Sequence, residues 1–469
     1  MSAEKERLWA GKHTAAEVGN GRNPLRRRLL SHLRYSGFFG QMLNYGLGSI
    51  LQKLLGILLL PLYIHALHPA ELGALALIEV CQTFFTALGS LGIPYALLRF
   101  ATDGSSSIGT LLRTSVVCSA VPGLVLSGAL MLGFQGLLGL MRLDSSYSQA
   151  MLLGLGLIPL QILQNILQNI WRIEARARRF SLLMTLQAAV LLLSTAWMVI
   201  PMGLGIRGIL LGRYAGTALL LLCGAWQYGS VIVAGHLDRD LGRRMLGFGL
   251  PLIPHKLNLL LNSKVDRLLL QYMLGPAAVG IYELAFRVAT YLQSALSPLE
   301  SAFLPYVIRH QDRKDRTSNL GLVTNFMLLA IVLGTLGLLY GGPLLVHWAD
   351  VGGKYPLPEH LMALLVLGMM VSLTYNVVAY PLYTNRRTKM MPLISGLGMA
   401  SNILGNLWLI PAAGPVGAAW ATLFSNSVMT SLGHWASRRQ QGCNLLPGLS
   451  LVGLVMLVVV GWLLWGVLW

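Results

Sequence analysis

Acidic residues are scarce in this sequence, with 17 Asp and Glu among 469 residues. All charged residues together make up 11% of the chain, whereas hydrophobic residues make up 55% and the mean hydropathy is +0.64. Soluble globular domains carry roughly 25% charged residues, so the composition excludes an ordinary soluble protein. Apolar runs long enough to cross about 30 Å of hydrocarbon recur along most of the chain. The sequence therefore predicts an all-α polytopic membrane protein.

Motifs of enzymes and of metal or nucleotide sites are also absent. The four cysteines are scattered, and three lie in apolar runs, so we expect neither a disulfide framework nor a metal site. The phosphate-binding loop GxxxxGK[ST], the zinc motif HExxH and the nucleophile elbow do not occur. The predicted loops are too short to hold a soluble domain. We therefore expect a protein that is not an enzyme and needs no cofactor.

The net charge of +18 raises the question of a nucleic-acid partner. The Lys and Arg residues follow membrane topology instead, because the loops on one predicted side carry most of them. The loops on the other side carry only Arg142, Arg207 and Lys354. By the positive-inside rule, the polar N-terminal tail, which does not read as a signal peptide, lies in the cytoplasm. We expect membrane lipids, and no nucleic acid, to be partners of these charges.

Hydropathy predicts about twelve membrane spans, each long enough to cross the bilayer. Their approximate bounds are 40–66, 73–95, 108–133, 150–171, 181–202, 206–228, 246–273, 280–306, 321–343, 359–384, 390–410 and 417–436. A further apolar run at 447–469 predicts an additional C-terminal helix.

Short patterns recur in the same order in both halves of the chain. Leu67–Gly73 (LHPAELG) matches Leu274–Gly280 (LGPAAVG), and Trp197–Gly208 resembles Trp408–Gly417. An Arg-rich loop after span four also falls opposite Asn385–Arg387. Because an even number of spans separates the copies, both halves have the same orientation. This predicts two pseudo-symmetric six-helix lobes around a central cavity, an arrangement typical of alternating-access carriers.

The repeat and the loops divide the chain into five predicted parts. They are a basic cytoplasmic tail (1–35), an N-terminal six-helix lobe (36–230), a cytoplasmic linker (231–245), a C-terminal six-helix lobe (246–437) and the additional transmembrane helix (447–469).

Charged side chains inside the predicted spans are the candidate functional residues, because a charge in hydrocarbon is costly. In span seven, Lys256, Lys264 and Arg267 fall within about 80° of one another around the helix. Lys53 lies near the middle of span one, and Arg287 lies in span eight. Cations outnumber acids in the spans, which favours an anionic cargo.

Several of these charges have a structural alternative. Asp266 adjoins Arg267, and Glu283 precedes Arg287 by one helical turn, so each acid could simply neutralise its neighbour. Near span ends, Arg113 is expected to extend to the membrane interface. The same is expected of Arg213. The residues that could couple transport to an ion, or merely pair with cations, are Glu79, His255, Asp266, Glu283 and Glu300.

The segment from Val265-Asp266-Arg267 through Leu274–Tyr282 to Ala285-Phe286-Arg287 resembles the seventh-to-eighth-span signature of bacterial polysaccharide transporters. These are the Wzx-type oligosaccharide flippases of the multidrug/oligosaccharidyl-lipid/polysaccharide exporter (MOP) superfamily. Leu67–Gly73 and Gly414–Ala419 are also similar to that family, and the likeness covers about residues 40–436. An odd, thirteenth span departs from the even span counts usual in the family.

The resemblance implies a two-lobed carrier with an exporter (MATE-like) fold in the bacterial inner membrane. It would move polyprenyl-pyrophosphate-linked glycans to the periplasmic leaflet for exopolysaccharide or O-antigen synthesis, and it could work beside a polymerase or export machinery. The matching cationic positions would be Lys53, Lys256, Lys264 and Arg287, to which the shared helix face adds Arg267. The alternatives left open are a lipid II flippase, a MATE-type drug antiporter and a membrane glycan polymerase or ligase. The sequence chooses neither the glycan nor the coupling ion.

Overall fold

The computed structural model describes residues 55–102, 107–174, 177–309, 316–350, 353–358, 360–379, 382 and 390–438. In these ranges the chain is folded into α-helices joined by short turns. In chain order they are α1 Leu55–Ala66, α2 Pro69–Gly89, α3 Ile93–Thr102, α4 Ile108–Leu132, α5 Phe134–Leu140, α6 Ser148–Ile173, α7 Ala177–Val199, α8 Gly205–Ala234, α9 Arg239–Gly249, α10 Ile253–Leu274, α11 Pro276–Arg309, α12 Arg316–Ala349, α13 Leu361–Val378 and α14 Met390–Arg438.

Eight of the described helices are long and apolar enough to cross a membrane. Predicted spans two to six and nine to twelve fall on these eight helices, whereas span seven, span eight and the described part of span one fall on α10, α11 and α1, which are not among the eight. The helices are also divided differently from the prediction in two places. Span seven is split into α9 and α10 by a 3₁₀ turn at Leu250–Leu252, where Pro251 removes a backbone donor. Spans eleven and twelve run together as α14, which is broken at Gly414 (φ 59°, ψ −136°). The basic tail and the additional C-terminal helix predicted at 447–469 lie outside the described residues.

Helices α2 and α11 cross where the sequence repeat begins. A Cβ atom on Gly73 would lie 1.9 Å from the carbonyl oxygen of Pro276, and one on Gly280 would lie 1.8 Å from that of Pro69. The two copies of the repeat therefore pack on each other reciprocally, each glycine against the other copy's proline. Among the described helices, α2 and α11 form the most extensive packing between the two halves of the chain.

The remaining helices gather on either side of this crossing. In the first half, α4, α6 and α8 pack around α2, and α7 packs on α8. In the second half, α10 and α13 pack on α14, while α11 and α12 pack on α13. Helix α9, which covers the end of the predicted linker and the first residues of the predicted second lobe, instead packs on α3 and α4. The domain boundaries given above stay predictions.

Large apolar side chains cover much of the outer surface of the described helices. Leu132 on α4 and Trp226 on α8 are each 91% exposed, and α7, α12 and α14 carry further exposed Leu and Trp side chains. A soluble monomer rarely exposes such extended apolar surface, and this surface suits contact with lipid. The arrangement is that of an all-α membrane protein with two pseudo-symmetric lobes.

Candidate functional site

A network of ion pairs lies at the junction of the two lobes, and Arg267 on α10 is its innermost member. The Arg267 side chain is completely buried. Its Nη1 atom donates to Asp266 at 2.7 Å, and its Nε atom donates to Glu283 on α11 at 3.0 Å. The guanidinium carbon lies 3.9 Å from the centroid of the Phe286 ring. Arg267 is thus held on both sides by acids and on one face by an aromatic ring.

Tyr282 extends the network toward α14. Its hydroxyl donates to Asp266 at 2.5 Å and lies 3.2 Å from the hydroxyl of Thr422. Tyr282 is buried, and so are the three charged members of this inner part of the network, Asp266, Arg267 and Glu283. Buried polar groups need such partners, because an unpaired one costs about 1–3 kcal/mol.

Glu79 on α2 connects the network across the two lobes. Both of its carboxylate oxygens accept hydrogen bonds from Nη2 of Arg287 on α11, at 2.9 Å each. Glu79 also pairs with Arg213 on α8. Arg287 in turn donates from Nε to Glu283 at 2.8 Å. A continuous chain of charges therefore runs from α8 through α2 and α11 to α10.

Arg213 corrects one expectation. Its side chain does not extend to the membrane interface: it is 21% exposed and is paired with Glu79. Glu79 lies far from Arg213 in the sequence, so no local spacing could predict this ion pair. Arg113 does lie at a helix end, where its Nη1 atom donates to the carbonyl oxygens of Val233 and Gly235, at 3.2 and 2.7 Å.

Two lysines predicted to hold an anion differ from the arginines in their surroundings. Lys264 is half-buried beside the network and makes no ion pair or hydrogen bond with the residues that the structure describes. Lys256 donates from Nζ to the hydroxyl of Tyr95 at 2.9 Å, and its ammonium lies 5.2 Å from the centroid of that ring. Since an ammonium has three donors, two of the Lys256 donors have no hydrogen-bond acceptor among the residues that the structure describes.

Three other predicted site residues give a mixed picture. Lys53 lies outside the described residues, and so does the side chain of His255. Glu300 accepts a hydrogen bond from the amide of Asn376 at 2.9 Å, away from the network.

A polar cavity of about 630 Å³ lies in the first half of the molecule. It is bounded by α2, α3, α6, α7 and α8, and the N-terminal part of α10 closes one side. Three cations, Arg172, Arg213 and Lys256, reach its wall, and none of the described residues lining it is acidic. The cavity therefore presents positive charge and neutral hydrogen-bonding groups.

Five amide side chains form much of one wall of this cavity, and sequence reasoning missed them. They share one face of α6 and are Gln161, Gln164, Asn165, Gln168 and Asn169. Their spacing of three and four residues is the spacing of a helical face. This pattern, QxxQNxxQN inside an apolar span, is the signal that could have found them.

A smaller cavity of about 350 Å³ lies between α1 and α11. Arg287 lines it together with Tyr63, whose ring centroid lies 5.1 Å from the guanidinium carbon. Arg287 therefore faces both this cavity and the ion-pair network.

The predicted external side is closed by contacts that we call the external seal, formed by Arg142, Gln271, Tyr272, Lys354 and Tyr355. Gln271 on α10 donates from Nε2 to the carbonyl oxygens of Met141 and Arg142, at 2.9 and 3.0 Å. The guanidinium of Arg142 lies 3.9 Å from the centroid of the Tyr272 ring.

The loop between α12 and α13 supplies the other part of the seal. Tyr355 donates from its hydroxyl to the carbonyl oxygen of Leu67 at 3.1 Å, and Lys354 donates from Nζ to that of His65 at 2.9 Å. Burial raises the pKa of Tyr355, so its phenol keeps the donated proton. Each seal contact joins a residue of the first half to one of the second.

The fold is similar to that of membrane transporters and flippases of known structure. The structure is similar to the lipid II flippase MurJ in an inward closed conformation, with a TM-score of 0.70 and 12% identity, covering 91% of this chain and 99% of that one. It is also similar to an inward-facing multidrug resistance MATE family transporter of the MOP superfamily (TM-score 0.65, 14% identity, 83% and 94% covered). A Vibrio cholerae MATE transporter, VcmN, gives a TM-score of 0.60 at 16% identity, with 87% and 98% covered.

The sequence identifies the family within this fold. Residues 41–311, more than half of the chain, match the model of the polysaccharide biosynthesis protein family. The chain belongs to that family. None of the curated proteins matches it. Family and fold together show an all-α membrane protein of the polysaccharide biosynthesis family with the fold of these transporters and flippases.

Proposed function

We propose that the protein is a flippase for polyprenyl-pyrophosphate-linked oligosaccharides, which it moves across the cytoplasmic membrane for exopolysaccharide or O-antigen synthesis. The observation that carries this proposal is the cavity wall, where Arg172, Arg213 and Lys256 approach without an acidic lining residue among those described. A cationic and otherwise neutral cavity suits an anionic carrier that bears a hydroxyl-rich glycan. The polyprenyl tail would stay in lipid.

The proposed anion grip is centred on Lys256. Arg213, Arg267 and Arg287 are already satisfied by acids, so a pyrophosphate would have to compete with Glu79 or Glu283 for them. Lys256 is engaged only by a neutral phenol among the described residues, and it needs no such exchange. Lys264, with no partner among those residues, is the second choice. Lys53 stays a prediction.

We expect Lys256→Ala to weaken the binding of polyprenyl pyrophosphate to the purified full-length protein by roughly tenfold or more, because a hydrogen bond to a charged group is worth about 1.5–3 kcal/mol. Titration calorimetry in detergent measures this change. In a strain that lacks the native gene, Lys256→Ala and Lys264→Ala should also abolish surface polysaccharide at normal protein level.

Arg243→Ala is the matched control, because Arg243 is a cation 82% exposed on α9. It should bind the lipid and support export as the wild type does. Normal binding and export in both lysine variants would overturn the proposed anion site.

A lipid II flippase is the second candidate, since the likeness to MurJ extends over nearly all of that chain. Deleting the gene distinguishes the two candidates. A viable strain that loses only its surface polysaccharide supports the proposal, whereas lysis through loss of peptidoglycan synthesis favours lipid II. Efflux of cationic drugs in the Lys256→Ala variant would point instead to a MATE-type antiporter. The described residues of the cavity wall argue against that function, because none of them is acidic.

A further inference from the structure

The amide face of α6 is unusual because its polar groups are arranged around the cavity and only partly used. Gln161 accepts a hydrogen bond at Oε1 from the hydroxyl of Thr86 at 3.1 Å, and Gln164 accepts one at Oε1 from Thr217, also at 3.1 Å. Each hydroxyl fixes the orientation of its amide. The Nε2 groups of both glutamines then remain without a hydrogen-bond partner among the described residues.

Asn165, between them, makes no side-chain hydrogen bond with any residue in the described ranges, although it lines the cavity. The two amides further along the helix are engaged: Asn169 donates to the carbonyl oxygen of Pro94 at 3.2 Å, and Gln168 lies 3.5 Å from the sulfur of Met184. Unused donors and acceptors are therefore concentrated on Gln161, Gln164 and Asn165.

A purely structural amide in the same lobe differs both in its hydrogen bonding and in its position relative to the cavity. Gln82 on α2 is buried, donates to the carbonyl oxygen of Gly154 on α6 at 2.8 Å, and does not line the cavity. Polar side chains between membrane helices often serve as such links. An amide that faces a cavity with its donors free has no helix to link there, and it is available to a ligand.

We propose that Gln161, Gln164 and Asn165 form a glycan-binding subsite that recognises the hydroxyl and acetamido groups of the transported oligosaccharide. This inference rests on the proposed function and assigns the binding of the glycan to α6, which lines the same cavity as the anion grip of Lys256. Carboxamides both donate and accept, as sugar hydroxyl groups do, and they carry no charge. The cavity volume lies within the range of about 300–1,000 Å³ typical of small-molecule sites.

The test uses a Gln164→Leu/Asn165→Leu double variant of the full chain, with Gln82→Leu as the matched amide control. The first measurement is the binding of sugar-free polyprenyl pyrophosphate to each purified protein. The second is the rate at which surface polysaccharide appears in the native host, which supplies the native glycan whatever its identity. We expect the double variant to bind the sugar-free lipid as the wild type does, and to export glycan at least roughly tenfold more slowly, since two or more hydrogen bonds are lost.

Gln82→Leu should lower the midpoint of thermal unfolding, but it should not slow export relative to the amount of protein in the membrane. Normal export by the double variant would overturn the glycan subsite and leave the proposed function standing. Loss of sugar-free lipid binding in the double variant would also overturn it, because the amides would then support the fold or the anion grip. Failure of the wild type itself to bind the sugar-free lipid would count against the proposed function.

Discussion

Arg267 shows how this protein keeps charge inside a membrane. Its guanidinium bonds to two carboxylates and stacks on a ring, and only its Nη2 atom lacks a hydrogen-bond partner among the described residues. A buried ion pair seldom stabilises a protein more than a pair of well-packed apolar side chains at the same positions would. Removing only one member of the ion pair, however, costs about 3–5 kcal/mol. The network is therefore best understood as fixing the geometry of α10 and α11.

Exchanging the charges of Glu283 and Arg287 tests this interpretation. Each of these residues has a second partner, so the Glu283→Arg/Arg287→Glu double variant would place an arginine beside Arg267 and a glutamate beside Glu79. We expect the exchange to be no more stable than the worse single variant. The loss should be about 3–5 kcal/mol per broken buried pair, measured by chemical unfolding in detergent.

Recovery of stability in the exchange variant would mean that the pair is isolated and that the wider network contributes little. Lys256→Ala is the control here, because Lys256 contacts Tyr95 and not the network; its unfolding midpoint should stay close to that of the wild type.

At the residue scale, local spacing reveals only part of the site. The one-turn separation of Glu283 and Arg287 pointed to a pair, and the two side chains are 2.8 Å apart. Glu79 and Arg287 are separated by 208 residues, so no pattern in the sequence could join them. The roles of Lys256 and Lys264 as anion ligands stay predictions, since their positions alone do not assign a ligand.

At the scale of elements, the reciprocal packing of α2 and α11 leaves no room for a side chain. We expect Gly73→Ala and Gly280→Ala each to force the helices apart, because the added methyl group would meet backbone carbonyl oxygens. Overpacking of this kind costs about 1–3 kcal/mol or more. The midpoint of thermal unfolding in detergent should fall accordingly.

Gly337→Ala on α12 is the matched control, since a Cβ atom there would meet nothing within 4 Å. This change should be neutral or stabilising by up to about 1 kcal/mol, because alanine favours helix. Equal behaviour of all three variants would mean that the crossing can relax at little cost.

The elements themselves were largely predictable, because hydrophobic length and the sequence repeat report helix positions directly. The pairing of Leu67–Gly73 with Leu274–Gly280 indicated the symmetry that the crossing shows. The break between α9 and α10 was partly visible through Pro251. The packing of α9 on α3 and α4 was not, since it depends on tertiary contacts that leave no periodic pattern.

At the scale of the whole molecule, the proposed transport by alternating access would require the external seal to open. The described seal contacts are a few hydrogen bonds and one ring contact, and each hydrogen bond contributes about 1 kcal/mol. A ligand shifts such an equilibrium only by its differential affinity for the two states. Removing hydrogen bonds of the seal should shift this equilibrium toward the state in which the seal is open.

Weakening the seal should therefore open the cavity to the predicted external side. The reporter is a cysteine introduced by Thr83→Cys in a background whose four native cysteines are replaced by serine. An impermeant maleimide is added outside intact cells, and the rate at which it labels this cysteine is measured. We expect Gln271→Ala/Tyr355→Phe to raise that rate by roughly tenfold. Thr83 lines the cavity, so its labelling reports access. Tyr340→Phe, a change on a tyrosine 71% exposed on α12, should leave the rate unchanged. If the seal variant labels no faster than this control, either the seal does not limit access or the cavity opens only toward the other side of the membrane, and the predicted direction of opening is wrong.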